Sequence, residues 1–316
     1  MSAPKSVTVG ARGSPLSIVQ VKSVLEPLEK LFPNLSFIFK PIKTSGDSPE
    51  SVLGSGEGLK GLFVKEIEEA LLTGEIDLAV HSAKDAPYRL PEGLALAAAP
   101  LRAPAGDALV SLKGYSLISL PLGSRVGTSS LRRRAQLAAY RPDLNICPVR
   151  GNVETRIEKT REEFLAVVLA QAALYRLGLP FQVGFEPIAP NVVLPAPGQG
   201  LLALELRAED QFVQKLTAPL GHYQSDLALK AERAFMGRLG AGCAAPAAAW
   251  ARFESDSFIM SALVASLDGR AVIKNRSKAS KISPEAVEEL GSRLAEDILS
   301  RGGEAIIKQC QNNPAS

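Results

Sequence analysis

The feature that most constrains the fold is the apolar run Leu78-Ala79-Val80, which stops abruptly at a polar segment. Such a run is typical of a strand covered on both faces in a parallel sheet. Pro87 cannot continue a central strand, so the polar segment 81–85 is expected at the strand's carboxyl end, where open α/β sheets bind ligands. There Lys84 offers a cation and Asp85 a carboxylate for proton transfer. The alternative is a turn with a surface ion pair, which contributes little to stability, and taken alone this stretch favours that alternative.

The length, net charge and cysteine content of the chain limit the kinds of protein that it can be. With 316 residues it is long for a single core, which predicts two or three domains. Its net charge of +3 is too small to favour nucleic acid binding. The three cysteines, Cys147, Cys243 and Cys310, lie far apart, which argues against a zinc site and against a disulfide scaffold. We see no signal peptide and no membrane span, so a cytoplasmic setting is the expectation.

The first residues predict a βαβ unit. A short strand over 7–11 runs into Arg12, and Ser14 is a good N-cap for the helix that follows. Pro27 interrupts the apolar pattern of that helix, which predicts a kink or a break near Glu26.

Segments rich in glycine and proline divide the chain. Segment 48–58 is interpreted as a mobile loop, either a linker or a lid. Segments 100–106 and 194–200 are interpreted as crossings between two α/β units, with strand 201–206 returning to the first. We therefore predict a first domain over 1–100 with 200–219, a second over 105–195 and a small α+β third domain over 221–316.

Basic residues recur where predicted strands end. The helix after Ser130 carries three arginines in its first turn, where cations oppose the helix dipole. An anion bound to that turn would explain them, and a solvated basic face is the alternative. The residues that share this placement at strand ends or helix starts are Arg12, Lys84, Arg132, Arg133, Arg150 and Arg156. Their recurrence predicts a cleft that holds several carboxylates or phosphates.

The C-terminal third contains Cys243 in a loop of small residues. A free cysteine is more often a buried small hydrophobe, but this glycine-rich loop favours an exposed, modifiable thiol. A hairpin is predicted over 258–274, followed by a helix that starts at Ser283-Pro284.

Together these segments resemble the porphobilinogen deaminase family, whose members are also called hydroxymethylbilane synthases. The match runs nearly end to end. The motifs that carry it are ARGSPL at 11–16, KGLF at 60–63, HSAKD at 81–85, GTSSLRR at 127–133, VRGN at 149–152, GQG at 198–200 and GCAAP at 242–246. The chain departs from the family's usual pattern at Leu165, at Pro27 and in the alanine-rich run 247–249.

The resemblance implies two domains similar to type II periplasmic binding proteins plus a smaller α+β C-terminal domain. It implies a dipyrromethane cofactor held through a thioether to Cys243 and assembled from the enzyme's own substrate. The implied reaction joins four porphobilinogen molecules head to tail, each losing ammonia, and water releases linear hydroxymethylbilane. No metal, membrane or nucleic acid is implied, and a monomer is expected.

Residue roles follow from the same resemblance. A buried carboxylate can protonate the leaving amine, stabilise the resulting cation and later remove a proton from the substituted carbon, and Asp85 suits these tasks. Phe63 is expected to stack on a pyrrole ring. The other expected substrate or cofactor contacts are Arg12, Ser14, Lys60, Ser82, Lys84, Thr128, Ser129, Ser130, Arg132, Arg133, Arg150, Asn152, Arg156, Arg176 and Gln199.

Two other classes of protein remain alternatives. A two-lobed solute-binding protein needs export and leaves Cys243 and the third domain unexplained. A phosphate- or nucleic-acid-binding protein fits arginines at helix starts, but aromatic content is only 5%, so a stacking platform is not evident. A covalent two-pyrrole adduct, visible in the intact mass, separates the deaminase from both.

Overall fold

Two five-stranded mixed sheets, a three-stranded antiparallel sheet and the helices that cover them make up the computed structural model, which describes residues 6–45, 64–179, 183–240 and 245–312. By their contacts the residues group into two compact units. The first is Met1–Arg102 with Leu201–Leu229, and the second is Ala103–Gly200 with Lys230–Ser316. The three-domain division stays a prediction.

The described elements follow in chain order. The first group is β1 (Ser6–Arg12), α1 (Pro15–Leu31), β2 (Ser36–Ile42), α2 (Lys65–Leu72), β3 (Leu78–Ser82) and β4 (Leu94–Leu96). The second group is β5 (Asp107–Val110), β6 (Arg125–Gly127), α3 (Leu131–Tyr140), β7 (Asn145–Cys147), α4 (Val153–Glu158), β8 (Ala166–Ala170), α5 (Gln171–Arg176) and β9 (Phe185–Ile188). The third group is β10 (Leu202–Arg207), α6 (Gln211–Thr217), α7 (Tyr223–Leu239), β11 (Ala247–Glu254), β12 (Ser257–Ala265), β13 (Val272–Lys278), α8 (Pro284–Ile298) and α9 (Glu304–Asn312).

The sheet of the first unit has the strand order β2-β1-β3-β10-β4. Strand β1 pairs in parallel with β2 and β3, whereas β10 runs antiparallel to β3 and to β4. Leu78, Ala79 and Val80 are buried, which confirms the predicted interior strand. Alternate residues pack on opposite faces: Leu78 and Val80 join the core under α1, and Ala79 joins the core under α2.

Helix α1 begins as predicted but does not break at its proline. Ser14 Oγ accepts a hydrogen bond from Ser17 N at 3.2 Å, so the predicted N-cap is confirmed. The predicted break near Glu26 is wrong, because the helix continues through Pro27 to Leu31. Proline removes one backbone donor, and the buried face on either side of it, which includes Val24 and Leu28, keeps its packing against the sheet.

The sheet of the second unit repeats this arrangement. Its order is β7-β6-β8-β5-β9, with β6 parallel to β7 and β8, and with β5 antiparallel to β8 and β9. Both sheets therefore align the carboxyl ends of three parallel strands at one edge, where polar turns and helix starts follow. The residue at the departure from the family pattern, Leu165, packs partly buried against the core of this sheet.

The C-terminal sheet is a meander of β11, β12 and β13. The predicted hairpin is confirmed as β12 and β13, and the predicted helix as α8, which Ser283 caps. Strand β11 was not predicted, because the run Ala247 to Ala249 lacks the β-branched and aromatic residues that mark strands. These alanines are buried.

Close packing between α7 and α8 generates a first prediction. A Cβ atom at Gly291 would lie 2.2 Å from the carbonyl oxygen of Ala231, whereas one at Gly237 meets no atom within 4 Å. We expect Gly291→Ala to lower the free energy of unfolding by about 1–3 kcal/mol. Gly237→Ala, also inside a helix, should raise it by about 0.4–1 kcal/mol. Denaturant titration measures both, and equal effects of the two substitutions would contradict the close contact.

Candidate functional site

In the first unit, the turn after β3 carries Asp85 and is fixed at both ends. The amide of Asp85 donates to the carbonyl of Ser82 at 2.9 Å, and the amide of Ala83 donates to that of Leu201 at 3.0 Å. The hydroxyl of Ser82 accepts from Gln20 Nε2 at 2.8 Å. The turn is therefore tied to β3, to α1 and to the residue before β10.

The side chains of this turn face solvent more than expected. Asp85 is exposed and Lys84 is half-buried. Asp85 is therefore not the buried carboxylate that was expected. The turn lies beyond the last residue of β3, and no described residue covers the Asp85 side chain fully. An exposed carboxylate is accessible to a substrate that arrives from solvent.

The end of β1 brings two further predicted residues to the same sheet edge. Arg12 is the last residue of the strand and is half-buried. Ser14 caps α1, and its hydroxyl lies 2.8 Å from that of Ser17. The Ser14 oxygen therefore has a structural role already, and its contact with a substrate stays a prediction.

In the second unit, Arg132 and Arg133 are buried around one carboxylate. Arg132 Nη1 lies 2.8 Å from Asp107 Oδ2, and Arg133 donates to Asp107 Oδ1 through Nε at 2.9 Å and Nη2 at 2.7 Å. Backbone carbonyls accept further hydrogen bonds, Leu194 O from Arg132 at 2.6 Å and Val168 O from Arg133 at 2.8 Å. The carboxylate of Asp107 thus supplies, from within the protein, an anion for the arginines at this helix start.

Charge pairing governs this cluster. Burial alone would raise the pKa of Asp107, but the adjacent Arg132 and Arg133 outweigh burial and hold the pKa of Asp107 far below its ordinary value. Burial lowers the pKa of Arg132, and Asp107 opposes that shift. Two guanidinium groups around one carboxylate leave one net positive charge in the interior. Among the described residues Arg132 Nε makes no hydrogen bond, so binding of a further anion by Arg132 stays a prediction.

The hydroxyls before α3 already have protein partners. Ser130 Oγ accepts from the amide of Arg133 at 3.4 Å, which confirms a serine cap. Ser129 Oγ donates to Val149 O at 2.7 Å, and Thr128 Oγ1 accepts from the amide of Ser130 at 3.2 Å. These contacts shape the turn, and direct contacts with a ligand stay predictions.

The next helix start presents Arg150, Asn152 and Arg156. Asn152 Oδ1 caps α4 by accepting from the amide of Thr155 at 2.8 Å. Arg156 Nε donates to the carbonyl of Gly151 at 2.7 Å. Arg150 is exposed, so its guanidinium can be reached from solvent.

Arg176 contacts the GQG segment, and Gln199 is the middle residue of that segment. Arg176 Nη2 donates to Gly200 O at 2.9 Å, and burial lowers the pKa of Arg176 to about 10. Gln199 is buried and donates to Asp107 Oδ1 at 3.0 Å. Gly200 has φ of +87°, and a Cβ there would lie 2.3 Å from Ala103 O, so the segment needs glycine at this position.

Sequence reasoning missed Asp107 and Glu232. Glu232 is buried in α7 and accepts from the amides of Gly198 at 2.5 Å and Ala251 at 2.8 Å. Acidic residues at the start of an apolar strand or on the apolar face of a helix are the signals that could have found them, because a buried carboxylate requires partners.

Several predicted positions lie outside the described residues. They are Lys60, Phe63, Cys243 and the loop 48–58. Within the described chain, no group of three or more His, Cys, Asp or Glu side chains could hold a metal ion. Of the helices in that part of the chain, none is long and apolar enough to cross a membrane.

The residues that are described fit a cofactor with carboxylate groups. Arg176 is desolvated, and among the described residues no carboxylate pairs with it. A half-buried, desolvated guanidinium of this kind favours an anionic partner. The acetate and propionate groups of dipyrromethane are such partners.

Comparison with known proteins identifies close relatives. A family model described as "Porphobilinogen deaminase, dipyromethane cofactor binding domain" matches residues 7–215, and its C-terminal-domain counterpart matches residues 227–300. A porphobilinogen deaminase from Roseiflexus castenholzii is 46% identical over 96% of this chain and 98% of its own. One from Syntrophomonas wolfei is also 46% identical, with the same coverage of both chains. A solved ancestral cationic amino acid solute-binding protein covers 68% of this chain and 88% of its own, with 14% identity and a TM-score of 0.43.

The buried ion pairs generate a second prediction. Asp107→Asn removes the charge that neutralises Arg132 and Arg133, so it should lower the free energy of unfolding by about 3–5 kcal/mol. Asp143→Asn is the matched control, because Asp143 pairs with Arg141 near the surface and its loss should change the denaturant midpoint little. If both variants unfold at the same denaturant concentration, Asp107 does not hold the two arginines in place.

Proposed function

This chain belongs to the porphobilinogen deaminase family, and we propose that it joins four porphobilinogen molecules head to tail with Asp85 as the acid–base group. It is a transferase of tetrapyrrole biosynthesis. The observation that carries the assignment of Asp85 is its exposed position on a fixed turn directly after a central parallel strand. Ligands of open α/β sheets bind at such strand ends.

The proposed acid–base cycle uses one carboxyl group twice. Protonated Asp85 gives its proton to the amine of porphobilinogen as the C–N bond breaks, and the bonding electrons leave with nitrogen as ammonia. The resulting carboxylate stabilises the cation left on the substrate. After the new C–C bond forms, the same carboxylate takes the proton from the substituted carbon, and Asp85 is protonated again for the next unit.

The proposed substrate contacts are the basic residues at strand ends and helix starts. Each porphobilinogen brings acetate and propionate groups, so the growing chain accumulates carboxylates that guanidinium groups bind in a bidentate manner. The support is strongest for Arg150, which is exposed, and for Arg176, which is desolvated beside a carbonyl. Lys84, half-buried next to Asp85, is proposed to orient a substrate carboxylate.

The dipyrromethane cofactor is proposed to be held by a thioether to Cys243, with the carboxylate-binding residues orienting it. When bound, it supplies the covalently held pyrroles to which the growing chain is attached. The GCAAP motif at 242–246, which contains Cys243, matches the family.

We further propose that the protein is a cytoplasmic monomer that acts on a small molecule. The net charge of +3 gives little attraction to nucleic acid, which supports a small-molecule role.

The role of Asp85 generates a third prediction. Asp85→Asn keeps the size of the side chain but removes the charge and the transferable proton, so turnover of porphobilinogen should fall about a hundred- to ten-thousandfold. Asp85→Glu should retain slow activity, because it keeps the charge and moves it by one methylene. Steady-state turnover is the measurement, with circular dichroism to show that the variants fold.

Glu92→Gln provides the matched control, because Glu92 is an exposed carboxylate in another turn of the same unit. It should keep the parent rate. A folded Asp85→Asn variant within about tenfold of the parent rate would assign the proton transfer to another group.

The cofactor attachment generates a fourth prediction. Cys243→Ala should fold, carry no two-pyrrole adduct in its intact mass and show no turnover. Cys147→Ala is the control, because Cys147 is a free thiol at the end of a strand, and it should keep both adduct and activity. An adduct on the Cys243→Ala protein would move the attachment to another cysteine.

A further inference from the structure

Three ionisable side chains, Glu68, His81 and Glu205, form a cluster where α2 packs on the first sheet. The antiparallel register places Ala203 opposite His81 and Ala79 opposite Glu205, so His81 and Glu205 lie on the same face as diagonal neighbours. His81 Nε2 is 3.1 Å from Glu205 Oε2. His81 is 7% exposed and Glu205 is fully buried. Helix α2, which carries Glu68, packs on this face.

The cluster is short of hydrogen-bond donors. Among the described residues, neither oxygen of Glu205 accepts a hydrogen bond, nor does Glu68 Oε1, and His81 Nε2 has ion-pair distance without hydrogen-bond geometry. Isolated buried carboxylates are costly unless they are paired or protonated. Glu68 and Glu205 thus bring two carboxyl groups with unfilled acceptor atoms to one face, and a proton on Glu68 supplies a donor and removes the charge repulsion between them.

The surroundings of Glu68 favour a proton on its carboxyl group. Burial and then the charge of Glu205 raise the pKa of Glu68 to about 7, and His81 opposes the shift. Of the strands packed on α2, β10 also presents Arg207, which is engaged with Asp77 and Asp210, and β4 presents no titratable group. On α2 itself, Lys65 lies 3.7 Å from Glu69, and Glu66 bonds to Ser45.

This cluster lies next to the turn that carries Asp85. His81 is the residue before Ser82, whose carbonyl accepts the Asp85 amide at 2.9 Å. Leu201, three residues before Leu204 in the strand that bears Glu205, accepts the Ala83 amide at 3.0 Å. One of the backbone bonds that fix the turn therefore ends in β3, and the other ends at the residue directly before β10, the two strands that the cluster joins.

We propose that Glu68, His81 and Glu205 are positioning residues for the condensation reaction, in which one proton on the Glu68 carboxyl removes the repulsion between Glu68 and Glu205 and holds the Asp85 turn in place. Loss of that proton places a second negative charge beside Glu205, which loosens α2 from β3 and β10 and lets the turn move. The inference rests on the proposed role of Asp85.

The test compares Glu68→Gln with Glu69→Gln. Glutamine at position 68 imitates the protonated carboxyl at every pH, whereas Glu69 is an exposed neighbour on the same helix. The protonated fraction of a group with a pKa of about 7 falls about tenfold between about pH 6 and pH 8. The ratio of kcat for Glu68→Gln to kcat for the parent should therefore rise about two- to tenfold over this range, with KM unchanged. Glu69→Gln should follow the parent.

Hydrogen exchange provides a readout that does not depend on turnover. The amides of Ala83 and Asp85 should exchange faster in the parent than in Glu68→Gln at about pH 8 and equally at about pH 6. Thermal stability should follow the same sign. Because the pKa of Glu68 is raised above its ordinary value of 4.5, its stabilising contribution is fully present below that value and is lost as the pH rises through about 7.

Each outcome is decisive. Divergence of Glu68→Gln from the parent at high pH, in both kcat and amide exchange, supports the inference. Identical behaviour of Glu68→Gln and the parent at every pH overturns it. A pH-dependent melting temperature with unchanged kcat ratio and unchanged Asp85 exchange also overturns it, since the cluster is then structural only. Failure of the proposed function is distinguishable, because it shows in Asp85→Asn and not in these variants.

Discussion

The second unit depends on how two buried guanidinium groups are neutralised. Arg132 and Arg133 occupy the first turn of α3, where the helix dipole already disfavours cations. Asp107, at the start of β5, contacts both of them and also accepts from Gln199. One carboxylate thus joins a helix start, a central strand and the GQG segment. The surplus positive charge that remains suits a protein whose substrates are carboxylates.

The first unit meets a different constraint, because its catalytic candidate must be held on a turn. Backbone bonds from Ala83 and Asp85 reach β3 and the start of β10, so the turn is anchored by the sheet itself. Side chains on the strands then decide how firmly the sheet holds it. His81 and Glu205 place polar groups where most proteins use apolar ones, so the packing beneath the turn depends on how these side chains are paired.

Much of the local structure could be predicted from the sequence, since caps and apolar runs are local signals. Ser14 as an N-cap and the interior strand at Leu78 are examples. The partner of Arg133 could not be predicted, because Asp107 is 26 residues away in the chain and the fold of the sheet brings the two together. The predicted break at Pro27 does not occur, because packing of α1 against the sheet outweighs the lost hydrogen bond. Strand β11 was missed since its alanines carry little strand preference.

The route of the chain has a consequence for synthesis on the ribosome. The five strands of the second sheet are contiguous, from Asp107 to Ile188. In the first sheet, β4 pairs with β10 and, within the described residues, with no other strand, and β10 ends at Arg207. During vectorial synthesis the second sheet can therefore close while the first still lacks a strand, and the nascent β3 edge stays unpaired for more than a hundred residues. At about 5–20 residues per second that interval lasts about 6–24 s, during which a chaperone can cover the open edge.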